Sequence, residues 1–102
     1  MTLTELIVAV KEKNLDKDQL ESYRDQMSHL FADMQIELAE LEKSEALFLE
    51  HEQNAEDRPS VAQSKINWKS TEQGQRLIVL KRYCLATKEL LNSLKSRLYS
   101  IY

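Results

Sequence analysis

Lys65, Trp68, Lys69, Arg76, Lys81, Arg82, Tyr83, Lys88, Lys95, Arg97 and Tyr99 interleave cations with aromatic rings along the C-terminal part of the chain. Side chains of these types neutralise phosphates and stack on bases, so the stretch is a candidate for binding nucleic acid or an anionic nucleotide. Eight of them, Lys65, Trp68, Lys69, Arg76, Arg82, Tyr83, Arg97 and Tyr99, are the candidate binding residues, for an anionic ligand or for a protein partner. Trp68 and the tyrosines also suit packing or interface anchors. A second array lies upstream, where Asp25, His29, Asp33 and Glu37 recur at four-residue steps, the spacing that places side chains on one helix face. Three carboxylates and an imidazole so placed can hold a divalent cation weakly. The same array reads equally as a solvated polar face, and that is the reading adopted.

Other chemistries lack their full sets of residues. Glu37-x-x-Glu40 matches half of the clustered-glutamate signature with which all-α nucleotide pyrophosphohydrolases hold magnesium. The opposing half is missing, since the C-terminal part offers only Glu72 and Glu89, seventeen residues apart among cations. No Glu-x-x-His pair accompanies His29 or His51, so a ferritin-like di-metal set does not assemble. No glycine-rich phosphate loop is present, and Cys84 falls in a row of leucines, the setting of a small core residue rather than of a nucleophile. The expectation is a non-enzymatic protein with no cofactor and no metal.

The elements that would position these residues are helices. The 102-residue chain carries one Gly, Gly74, and one Pro, Pro59, which leaves little punctuation for tight turns or many strands. Apolar residues at 42% and charged residues at 30% suit amphipathic helices and one packing unit. The spacing predicts an all-α fold, a single domain over residues 1–102. It comprises an arm helix over 4–13, a long helix over 17–55, a loop over 56–60 and a second long helix over 61–101. Asn14 is the expected cap of the arm. Asp16 with Gln19, and Ser60 with Gln63, read as capping boxes, and Leu15 with Leu20 as a hydrophobic staple. The first long helix carries its apolar row at Leu20, Tyr23, Met27, Leu30, Met34, Leu38, Leu41 and Phe48. The second carries Leu77, Leu80, Cys84, Thr87, Leu91, Leu94, Leu98 and Ile101 at alternating steps of three and four. Because the loop is short, the two run antiparallel as a hairpin.

Ser70 to Gln73 could start a further helix. The continuous reading is preferred because Gly74 falls on the core row one step before Leu77, where a missing side chain lets a neighbour such as Trp68 approach.

Charge is polarised. Residues 1–57 hold 15 acidic and 5 basic side chains, and residues 58–102 hold 2 and 9, within a net charge of −3. The expected consequence is pairing of the long helices, with Lys81, Lys88 and Lys95 answering Asp33, Glu37, Glu40 and Glu42. Phe31, Ile36, Leu47 and Leu49 on the first long helix, with Ile78, Leu85 and Leu90 on the second, widen the apolar surface beyond one facing neighbour. They are the candidate oligomer interface, and a homodimer assembling as a helical bundle is expected.

The lone Cys84 excludes an internal disulfide and fits a reducing cytoplasm. The run Leu6 to Val10 is too short for a membrane span and lacks the flanks of a signal peptide, and Met1 reads as the start of a complete frame.

The residues Trp68-x2-Thr71-x2-Gly74, Leu80-Lys81 and Leu94-Lys95 form a pattern that resembles small helical-hairpin proteins of tailed bacteriophages, over roughly the last third of the chain. That resemblance implies an accessory protein acting in the host cytoplasm, a class that includes host-takeover and counter-defence factors, and it carries no catalytic residues. The functional expectation is a self-associating helical protein that binds and modulates another macromolecule, which the resemblance implies is a host protein. The alternative is a nucleic-acid or anionic-nucleotide binder acting through the basic helix.

Overall fold

The computed structural model describes residues 1–101, apart from the side chain of Ile101, so that position of the apolar row lies outside the described side chains. The fold is all-α, with helices α1 (Leu3–Val10), α2 (Lys17–Gln53), α3 (Val61–Lys69) and α4 (Glu72–Ile101) and no strand among the described residues. Packing groups the chain into two compact units. The first joins Met1–Met34 to the chain from Tyr83 onward, and the second is Gln35–Arg82.

In the first unit, Leu6 and Val10 of α1, Leu20 and Met27 of α2, and Leu94 and Leu98 of α4 form one buried cluster. Each pair recurs at four or seven residues, so each helix offers a single stripe to the others. Burying a side chain of this size contributes about 1.5–3 kcal/mol. The start of α2 meets the end of α4, so the two run antiparallel within this unit. Leu15 packs against the cluster beside buried Leu20, as the hydrophobic staple requires. The capping box closes in both directions: the Gln19 amide donates to Asp16 Oδ1 at 2.8 Å, and the Asp16 amide donates to Gln19 Oε1 at 3.0 Å.

The arm helix starts and stops earlier than its apolar spacing suggests. Thr2 caps its start by accepting from the Glu5 amide, and Lys11, not Asn14, is its C-cap. Arg97 explains the early stop. Its guanidinium donates to the carbonyls of Val10 at 2.7 Å and Glu12 at 2.9 Å, supplying donors that continued helix would otherwise provide.

In the second unit, α2 ends at Gln53, two residues before the expected boundary. Gln53 Nε2 donates to the Pro59 carbonyl and to Ser64 Oγ, each at 3.0 Å, and so ties the connecting turn to α3. Asn67 donates to Glu52 Oε1 at 3.1 Å, a second link between the same elements. Ser60 caps α3 by accepting from the Gln63 amide at 3.1 Å. The Gln63 side chain turns to Asn67 Oδ1 at 2.9 Å.

The expected continuous helix over 61–101 is broken at Ser70 and Thr71. Thr71 is the new N-cap: its hydroxyl donates to the Trp68 carbonyl at 2.6 Å and accepts from the Gly74 amide at 3.0 Å. Gly74 is buried at this junction. A Cβ there would sit 2.0 Å from the Trp68 carbonyl oxygen and 2.8 Å from its carbon. The absent side chain does admit Trp68, but it admits the backbone carbonyl at a helix break.

Candidate functional site

The residues singled out from the sequence separate into three groups. Trp68 is withdrawn into the second unit at 3% exposure, its ring 5.5 Å from that of Phe48 at 54°. It therefore anchors packing and does not present a base-stacking surface. Its indole N–H has no hydrogen-bond partner among the described residues, an expensive arrangement that marks a tightly closed site. Arg76 and Arg97 are engaged within the chain. Arg76 makes a forked contact with Glu37, Nε to Oε2 at 2.9 Å and Nη2 to Oε1 at 3.1 Å, and Arg97 holds the arm helix. Lys65, Lys69, Arg82, Tyr83 and Tyr99 are exposed, Tyr99 at 82%.

The expected lysine-to-carboxylate pairing is replaced by a single bridge. Arg76 answers Glu37, while Lys81, Lys88 and Lys95 make no salt bridge with any described residue. The heptad spacing of the lysines sets them on one side of α4, but it does not bring a described carboxylate within ion-pair distance of them. Along the acidic array of α2, Asp25, His29 and Asp33 face solvent, and Glu37 is committed to Arg76.

The apolar candidates also divide. Ile36, Leu47 and Leu85 are exposed at 61%, 58% and 60%, whereas Phe31, Leu49 and Ile78 are half-buried. Leu90 is half-buried and packs against the core of the first unit.

One concave feature unites a missed residue with two noticed ones. A cleft of about 420 Å³ in the first unit is lined by Arg24 of α2 and by Lys95, Leu98 and Tyr99 of α4. Arg24 carried no signal in the sequence, being the only cation in a long acidic stretch; its relevance arises because the antiparallel packing lays it against the end of α4. Comparisons with protein-family models, with curated proteins and with solved structures find no match for this chain.

Proposed function

We propose that the chain is a non-catalytic helical interaction protein that self-associates, first as a dimer, and binds and modulates a second protein. The observation that carries this reading is the exposure of large apolar side chains within each of the two units.

In the second unit, Ile36 and Leu47 stand three turns apart on the outward side of α2. In the first, Leu85 is exposed on α4. Covering such side chains is the usual gain on association. The resemblance of the last third to phage helical hairpins supports a host protein of the bacterial cytoplasm as the modulated partner.

Light scattering across the micromolar range tests the self-association. The expected species has twice the 11.9 kDa chain mass. The variant Ile36→Asp with Leu47→Asp should shift it to the single chain with its helical circular dichroism intact. A wild-type chain that stays at 11.9 kDa throughout overturns the reading.

A second reading, binding of an anionic ligand, is favoured by one observation: the lysines expected to answer the acidic helix make no such bridge.

A further inference from the structure

The cleft of the first unit gathers four side chains of complementary chemistry. Arg24 and Lys95 come from different helices and bring two positive charges to one concavity. No carboxylate is among its described lining residues. Among the described residues Arg24 pairs with its own neighbour Asp25 at 3.5 Å, an exposed contact that solvent screens. Lys95 makes no salt bridge with a described residue, and Lys88 stands two turns before it on the same side of α4. Two like charges brought to one concavity repel, so the arrangement favours an incoming anion.

The rest of the lining is apolar or aromatic. Leu98 is buried and forms the floor, while Tyr99, one turn beyond Lys95, is almost fully exposed. An exposed ring beside two cations is poorly matched to a bare inorganic anion, which would use the charges and leave ring and floor idle. A ligand with a phosphate and a flat ring uses all four: the guanidinium and ammonium take the phosphate, and the ring lies on Tyr99 over Leu98. The volume, about 420 Å³, falls in the range of small-molecule sites.

We infer that this cleft binds a phosphorylated nucleoside, either as a free nucleotide or as the terminal nucleotide of a single strand. The inference does not depend on the self-association proposed above, because all four residues belong to one unit of one chain.

The test is titration of the full-length protein at low ionic strength, with backbone amide shifts and equilibrium dialysis as readouts. AMP should shift the amides of Arg24 and of Lys95 to Tyr99 saturably. Tyr99→Ala should weaken AMP by roughly five- to hundredfold, the range of base–aromatic stacking, and leave inorganic phosphate unchanged. Tyr99→Phe should keep AMP binding, since the ring remains. Arg24→Gln with Lys95→Gln should abolish the response to both ligands, and its unchanged circular dichroism would show that the fold is retained. A 5′-phosphorylated oligodeoxyadenylate that displaces AMP assigns the terminal-nucleotide source, and failure to displace it assigns the free nucleotide. Two results overturn the inference. One is an absence of saturable shifts with both AMP and the oligonucleotide. The other is a glutamate-rich peptide that occupies the cleft in place of AMP with an affinity indifferent to Tyr99→Ala, which would make the occupant an acidic protein segment.

Discussion

Replacing Gly74 with Ala reports directly on the junction between α3 and α4. Within an uninterrupted helix that change is favourable, by about 1 kcal/mol, because alanine restricts the unfolded chain and glycine does not. At the observed junction the sign reverses. The new Cβ would lie 2.0 Å from the Trp68 carbonyl oxygen, 2.8 Å from its carbon and 3.0 Å from Lys69 Cα. All three are backbone atoms, so no rotamer change relieves the overlap and α3 must move away from α4. That movement loosens Trp68 from Phe48 and disturbs the Thr71 cap, which accepts from the Gly74 amide.

Overpacking of this kind costs about 1–3 kcal/mol, and for overlap with backbone the upper part of that range is expected. A net loss of about 2 kcal/mol would lower the melting temperature by roughly 10 °C in a domain of this size. The assay is thermal and urea unfolding followed by far-ultraviolet circular dichroism. Fluorescence of Trp68, the only tryptophan, reports the local movement. Gln73→Ala, at the exposed neighbouring position, is the control and should be neutral or slightly stabilising. A Gly74→Ala protein more stable than wild type would refute the reasoning, because it would mean that α3 and α4 form one continuous helix.

Two further substitutions probe side chains whose roles only the packed structure shows. Arg97→Ala removes two charge-assisted donors, one from the part-buried Val10 carbonyl, a loss of about 1–3 kcal/mol, and one from the exposed Glu12 carbonyl, which water can replace. The amides of α1 should then lose hydrogen-exchange protection ahead of those of α2, and unchanged protection would show that the buried Leu6 and Val10 hold the arm alone. Thr87 is fully buried with no described partner for its hydroxyl. Thr87→Val should therefore raise stability by about 1 kcal/mol in urea unfolding, and a clear loss would show that the hydroxyl is bonded after all.

The local signals of this sequence were sufficient for the helical class and for the starts of α2 and α3. Asp16 with Gln19 and Ser60 with Gln63 mark helix starts because a capping side chain reaches amides only three residues away, a distance encoded in the chain itself. The apolar rows likewise located the stripes that carry Leu20, Met27, Leu94 and Leu98, and the short turn before Pro59 implied antiparallel packing.

Tertiary structure decided whatever depends on approach between segments distant in the chain. Both a cap and a core-row position were legible around Gly74, and the choice between them came from the Trp68 carbonyl occupying the space of a Cβ. Opposite charges on two helices were legible too, but pairing depends on which cation the packing turns toward which acid. Arg76 reaches Glu37, the heptad lysines do not, and Arg97 is drawn to the carbonyls of the arm. The cleft had no linear signature, because Arg24 and Tyr99 lie 75 residues apart and share it only after the antiparallel turn has set the ends of α2 and α4 side by side.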